Sequence, residues 1–358
     1  MNILSGDPPR GRALQILLVL IILGLVLAPF LFPGAKAINV AAKTCVMILL
    51  VASYDLLLGY AGVVSFVHVM FFGVGAYGVG LMLYALGASW GALVLGLAAA
   101  AAVSLALALA IGLFSLRVQS IFFAMVTLAV AYAFNVLASQ LSWLTGGEDG
   151  RSFKVPEVLQ PGFRLIPGKI FGVAITGKIL TYYLVVAVVA AAFLVLLRVA
   201  NSPFGRVLQA IRENPFRAEA LGYRTVFHRT LATCLSALGA TLAGALFALW
   251  LRYVGPDTAL SFSIQVDVLV MVVVGGMGSL YGAIIGAALF VSAESYLQDV
   301  MAGLSRAATD ASLPLLPALF NPDRWLLWLG LAFVLAVYFA PSGIVGALKV
   351  EEANRQLE

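Results

Sequence analysis

Charge is scarce in this sequence. Lys and Arg number 21 and Asp and Glu 16, which is 10% of the 358 residues, against roughly 25% in ordinary soluble domains. A soluble fold of this size could not cover its surface with so few charges. That excludes a soluble enzyme, a disordered chain and a nucleic-acid binder. Cysteine and histidine are scarcer still, at two each. Cys45 and Cys234 both fall in apolar runs, as small buried hydrophobes do. Neither has a His or Cys cluster beside it, so nothing in the spacing points to a disulfide or a metal site. Catalytic signatures are missing as well: no HExxH, no GxSxG and no paired carboxylates are visible. There is no TVGYG-like filter, no ladder of regularly spaced arginines and no repeat of 20–50 residues. What fills the chain is hydrophobic residues, 63% of it, with a mean hydropathy of +1.06. The formal net charge of +5 is scattered over loops, the pattern of a membrane protein obeying the positive-inside rule.

A helix rises about 1.5 Å per residue, so about 20 apolar residues cross about 30 Å of hydrocarbon. Ten segments qualify, near 13–32, 38–58, 62–86, 90–116, 120–143, 179–198, 230–254, 263–278, 279–300 and 325–345. The expected fold is all-α: one polytopic transmembrane bundle over residues 1–358. Glycines interrupt the third and eighth spans, which are therefore candidates for broken or re-entrant segments. Arg10 and Arg12 before an apolar run, with Ala35-Lys36-Ala37 after it, imitate a signal peptide. The run exceeds the 7–15 residues of a typical signal core, so an uncleaved first span is expected.

Loops set the orientation. The segment 199–229 and its border carry Arg198, Arg206, Arg212, Arg217, Arg224 and Arg229 against Glu213 and Glu219. With ten spans this loop and both termini share a side, which the positive-inside rule makes cytoplasmic. The polar segment 144–178 then faces the periplasm. Its five basic and three acidic residues run mildly against the rule. Within it, Gly172 to Ile179 nearly spells a phosphate-binding loop, but Ile179 stands where a Mg²⁺-binding hydroxyl belongs. The chain thus shows no nucleotide site, and any ATP it uses is bound by another polypeptide.

Gly278, Gly282 and Gly286 are spaced four apart, as are Ser236, Ala240, Gly244 and Ala248. Small residues at this spacing let helices approach closely in lipid, within a subunit or across a subunit seam. Gly73, Gly75, Gly78 and Gly80 form a denser run, suited to close packing or to backbone lining a cavity. Charges inside spans are costly and are site candidates by default. Asp55 and Arg252 lie near span ends, where a side chain can reach water. His68 reads more readily as a hydrogen-bonded interior histidine than as a ligand. Asp267 and Glu294 could line a polar cavity or bond a neighbouring helix.

The loop 199–229 has a pattern of its own. Ser202-Pro203 and Asn214-Pro215 each read as an N-cap followed by Pro at the first helical position. Gly222 is a stop. Two short helices joined at Asn214 are expected. Phe204, Leu208, Ile211, Pro215 and Ala218 form an apolar stripe with arginines beside it. Such an element lies on lipid or docks into a partner's groove, and docking is the expectation.

Four stretches carry a family resemblance: Ser65-Phe66-Val67-His68 running into Phe71 to Tyr77; Phe122 to Ala129 with Thr145 to Gly150; Ser202 to Gly222; and Val274-Gly275-Gly276-Met277-Gly278-Ser279-Leu280-Tyr281-Gly282. In this order and spacing the chain resembles LivM-type permeases, the transmembrane subunits of branched-chain amino acid ABC importers. Val67 departs from a common Gly and Ala283 from a common Pro, and 151–178 is longer than usual. The resemblance implies a bacterial inner-membrane permease with a related second permease, two cytoplasmic ATPases and a periplasmic binding protein. ATP and Mg would sit on those partners, with no cofactor in this chain. The segment with Arg206, Arg212, Glu213, Asn214, Pro215, Arg217, Glu219 and Gly222 would be the coupling loop in the ATPase groove. Ser65, His68, Tyr77 and Thr127, which lie in those stretches, join Asp267 and Glu294 as candidates for lining the solute pathway. Gly73, Gly75, Gly275, Gly276, Gly278, Gly282 and Gly286 are candidates for helix packing. Related permeases carry urea, short amides and other small polar solutes, so the cargo stays open between these and amino acids. A stand-alone ion-coupled carrier would usually show more intramembrane ionisable groups.

Overall fold

A computed structural model describes residues 11–32, 34–115, 120–170, 173–310 and 320–348. Arg10 of the basic N-terminal pair and Gly172 of the near-phosphate-loop segment lie outside them. Among the described residues, ten segments are long and apolar enough to cross a membrane. The chain is a multi-pass helical protein.

Helix α1 (Arg12–Leu31) is apolar all round, with Ile16, Leu20 and Leu31 exposed. It packs on α2 (Ala35–Asp55), which continues through a π-helical turn at Leu56–Tyr60. The α2 span is 89% buried within the chain, whereas the α1 span is 22% buried, so α2 is the axis of the bundle. The chain then runs without helix through 61–67 and resumes as α3 (His68–Leu86). The expected third span therefore starts later, and its break precedes the glycine run instead of falling within it. Helix α3 stays continuous through its glycines because tertiary packing replaces what they lose in propensity. It is clamped between α4 (Trp90–Ser115) and α10 (Thr225–Leu251). A methyl on Gly75 would overlap the Thr241 carbonyl, and one on Gly244 would overlap the Phe72 carbonyl. Backbones in direct contact maximise dispersion where lipid supplies no hydrophobic drive.

After α5 (Ser120–Gln140) the segment 144–178 is more ordered than a plain loop. It follows a short α6 (Ser142–Thr145) and contains strand β1 (Arg151–Ser152) and an antiparallel hairpin of β2 (Arg164–Ile170) and β3 (Val173–Thr176). Helix α7 (Gly177–Ala200) leads to a bent elbow of α8 (Pro203–Glu213) and α9 (Pro215–Ala220). Beyond α10, strand β4 (Tyr253–Val254) pairs antiparallel with β1, with Arg151 opposite Val254 and Ser152 opposite Tyr253. The eighth span is broken, as α11 (Pro256–Ala259) and α12 (Phe262–Gly275). A first break lies at Leu260-Ser261, ahead of the expected 263–278 span, where Ser261 caps α12; within that span the helix stops at Gly275, and Gly276 and Gly278 form the turn. A tight turn leads to α13 (Leu280–Asp310), and α14 (Trp325–Phe339) lies against α13 and α12.

Two ends result. The elbow end holds α8–α9, the π-helical turn and the 276–279 turn. The hairpin end holds the two ribbons.

Candidate functional site

The elbow is built by its caps. Ser202 Oγ accepts from the Gly205 N–H at 3.5 Å, and Asn214 Oδ1 accepts from the Arg217 N–H at 3.0 Å. Pro203 and Pro215 occupy the first helical positions. Gly222 closes α9 at φ +90°, a conformation costly for any side chain with a Cβ. The Thr225 hydroxyl donates to Glu219 Oε1 at 2.6 Å and ties the elbow to the start of α10. Arg206, Glu213, Asn214, Arg217, Glu219 and Gly222 are exposed, with Pro215 half-buried.

The apolar stripe faces the other way from a docking surface. Leu208, Ile211 and Ala218 are buried in the chain's own bundle, where α8 meets α7, α10 and the π-helical turn. What the elbow offers outward is Phe216, 81% exposed, and Leu221, 74% exposed. Beside them a groove of about 560 Å³ is lined by Glu219, Gly222, Tyr223, Arg224, Thr225, Val226 and Phe227. Phe216 and Leu221 are legible in the sequence as apolar residues off the stripe, while the stripe itself is taken up by the chain's own packing.

Arg212 is exposed, but its head reaches back onto the bundle. Its guanidinium donates to the Gly59 carbonyl, at the π-helical end of the α2 span. A Cβ on Gly62 (φ +67°) would lie 2.9 Å from Arg212 Cγ, and one on Gly278 would lie 3.1 Å from Nη1. The same turn is held from within by Asp55, whose Oδ1 accepts from the Gly278 N–H at 2.8 Å. Asp55 thus ties the end of the α2 span to the turn that leads into α13. The expectation that Asp55 reaches water is corrected: it is 1% exposed, because the π-helical turn carries the span on past it. Arg252 does sit at a helix end, as the left-handed C-cap of α10.

The glycines of this region divide by role. Gly276 (φ +113°) and Gly278 (φ +82°) make the turn, so Gly278 does not continue the Gly282–Gly286 stripe as a helix-contact residue. Gly275 and Gly282 face one another across α12 and α13, Gly286 meets the Met271 carbonyl, and Gly73 meets Leu260.

The candidate pathway residues fall into two groups. His68 is enclosed, with its Nε2 2.9 Å from Ser53 Oγ and its Nδ1 3.5 Å from Ser236 Oγ. Tyr54 and Phe71 flank its ring. Thr127 Oγ1 accepts from the Phe66 N–H at 3.1 Å and donates to the Ala124 carbonyl at 2.9 Å, which braces the non-helical 61–67 segment. Ser65 and Tyr77 are buried, and their hydroxyls have no hydrogen-bond partner among the described residues. These four belong to the packed interior around α3.

Asp267 and Glu294 lie elsewhere, at the junction of α12, α13 and α2. Glu294 holds Lys43 through both oxygens, at 2.7 and 2.9 Å. Both side chains keep partial exposure, 31% for Lys43 and 27% for Glu294. Asp267, half-buried on α12, lies in electrostatic reach of both. Lys43 was missed in the sequence, although a lysine inside an apolar run is the signal that flags such a site. Among the described residues no three His, Cys, Asp or Glu side chains gather as a metal site requires.

Against this architecture, the family described as branched-chain amino acid transport system / permease component matches residues 36–337. The chain belongs to this permease family. The permease is 28% identical over 279 residues to the high-affinity branched-chain amino acid transport system permease protein LivM of Salmonella typhimurium, covering 74% of this chain and 64% of that relative. It is 28% identical over 301 residues to the protein of the same description from Escherichia coli, covering 80% and 69%. A probable branched-chain amino acid transport permease protein LivM of Methanocaldococcus jannaschii is 30% identical over 161 residues, 43% of this chain and 44% of that one. The permease thus spans about two thirds of the length of the bacterial relatives. No solved structure matches it.

Proposed function

We propose that this permease is a membrane-spanning subunit of an ATP-driven importer that carries branched-chain amino acids across a bacterial inner membrane. The observation that carries the reading is the elbow α8–α9. It is a doubly capped element with an exposed aromatic tip and an arginine whose head reaches back to touch the ends of two spans. An ATPase that grips the tip moves those ends with it. ATP binding on the partner then shifts an inward/outward equilibrium through its differential affinity for the two states. Two ATPases, a related second permease and a periplasmic binding protein complete the assembly. Arginines concentrated in the elbow loop support a cytoplasmic position for it and for both termini, by the positive-inside rule. The hairpin end then meets the binding protein.

The test is reconstitution of the assembled importer in vesicles, with uptake of radiolabelled leucine, isoleucine and valine measured with and without ATP. ATP-dependent uptake is the expected result. ATP-dependent uptake of urea or acetamide alone would replace the solute class. Uptake by this chain alone, driven by an ion gradient, would overturn the reading altogether.

A further inference from the structure

Three ionisable side chains from three different spans meet inside the membrane-spanning region: Lys43 of α2, Glu294 of α13 and Asp267 of α12. Lys43 lies eight residues inside the Ala35 end of its helix, and Asp267 lies eight residues inside the Gly275 end of the opposite boundary. At about 1.5 Å per residue Lys43 is about 12 Å from the Ala35 end of α2, and Asp267 is about 12 Å from the Gly275 end of α12 and about 7.5 Å from its Phe262 end, so both lie inside a hydrocarbon layer about 30 Å thick. On the same side of α2, Asn39 one turn outward is exposed, and Lys36 two turns outward pairs with Asp299 of α13. A polar side of α2 therefore leads from the hairpin end down to the inner three.

The charges there do not cancel. Glu294 neutralises Lys43 with both oxygens. Asp267 is left over, and among the described residues its carboxylate has no hydrogen-bond partner. A half-exposed carboxylate facing lipid is costly, and such groups in spans face a cavity or a protein seam. Structural anchoring of α2 to α13 explains the Lys43–Glu294 pair but leaves Asp267 without a use.

Building on the proposed import function, we infer that Asp267 and Lys43 form a mid-membrane subsite for the zwitterionic head of an α-amino acid. The solute's ammonium meets the unpaired Asp267 carboxylate. Its carboxylate meets the Lys43 ammonium, which the neighbouring Glu294 holds in place. This requires a solute with both charges on adjacent groups, so amides and urea are poor fits. It also moves the pathway away from Ser65, His68, Tyr77 and Thr127 and onto the α2–α12–α13 face.

Two experiments on the assembled, reconstituted importer test it. The first replaces Asp267 by Asn and by Glu and reads leucine uptake per ATP hydrolysed. Asp267→Asn is expected to lower that ratio at least tenfold, with substantial recovery in Asp267→Glu. An Asp267→Asn importer with the wild-type ratio overturns the subsite. If wild-type importer moves no branched-chain amino acid, it is the proposed function that fails instead. The second places a cysteine at Ser263, exposed and one turn from Asp267 on the same face of α12, in a background with Cys45→Ala and Cys234→Ala, and does not depend on the first variants folding. Labelling by a membrane-impermeant cationic thiol reagent, slowed by leucine and ATP, is the expected outcome. Labelling only by a lipid-soluble reagent would place the face against lipid. Labelling by neither would place it in a dry seam. Either result overturns the proposal.

Discussion

Asp55 illustrates what one buried carboxylate does in this protein. Its Oδ1 accepts the Gly278 N–H, and at 1% exposure the residue is shut off from bulk solvent. Asp55→Ala leaves that N–H unpaired, at a cost of about 1–3 kcal/mol. Thermal unfolding of the assembled complex in detergent should show the loss, and an unchanged midpoint would exclude a stabilising role for Asp55. Glycines give a sharper contrast at the same scale. Gly75→Ala sets a methyl onto the Thr241 carbonyl, whereas Gly24 has nothing within 4 Å. Overpacking typically costs about 1–3 kcal/mol, so Gly75→Ala should lower the melting midpoint while Gly24→Ala does not. Equal behaviour of the two would mean that α3 and α10 are not in backbone contact. Lys43→Met strands Glu294, and breaking a buried pair costs about 3–5 kcal/mol. Partial exposure of this pair reduces that figure. The double variant Lys43→Met, Glu294→Met should recover most of the lost stability, because neither member of the pair is then left charged without the other.

The elbow shows how elements divide their faces. Leu208 and Ile211 anchor it inward, while Phe216 and Leu221 project. Phe216→Ala is expected to leave the permease folded and to reduce co-purification of the ATPase several-fold. Retained association would move the docking surface to the groove beside Tyr223. Asn214→Ala removes the cap between α8 and α9 at a cost of about 1 kcal/mol, and Arg212→Ala should leave ATP hydrolysis running with less uptake per ATP. The caps and prolines of this elbow were legible because Ser-Pro and Asn-Pro are local signals. Its outward face was not, since an amphipathic stripe says that one side is apolar but not which body it meets. The span count was legible for the same reason that bilayer thickness sets helix length. The breaks were legible only in part. Gly73 to Gly80 read equally as close packing or cavity-lining backbone and the structure shows packing, while the chain leaves helical geometry at 61–67, where sequence gives little warning. His68 and Asp55 were visible as polar residues in spans, but their partners Ser53 and Gly278 are distant in sequence or are backbone groups, which no periodicity reports.

At the scale of the whole molecule, α2 is the axis to which most other spans are fastened, and the two ends differ in construction. The elbow end is made of helix termini and turns held by a few polar contacts: Arg212 to Gly59, Asp55 to Gly278, Thr225 to Glu219. The hairpin end carries strand pairing. Local opening exposes amides outside helix and strand ladders most readily, and 61–67 and 276–279 are such segments. Hydrogen exchange on the reconstituted importer should therefore be faster at 61–67 and 276–279 than at 151–153 and 252–254, and should slow at the former when ATPase is bound. The reverse order would place the moving parts on the other side.

The short β1–β4 ribbon has a mechanical consequence. Arg151 and Ser152 pair with Val254 and Tyr253, the Phe153 N–H donates to the Arg252 carbonyl at 3.1 Å, and the Tyr253 hydroxyl donates to the Asp149 carbonyl at 2.9 Å. This staple fastens the far tip of α10, a rod of 27 residues and so about 40 Å long. A lever pinned at one tip swings most at the other: a tilt of about 5° carries its free tip about 3.5 Å over that length. We predict that spin labels near Tyr223 will move during ATP turnover while labels near Tyr253 stay still, and equal displacement at both would show that the rod slides instead of pivoting.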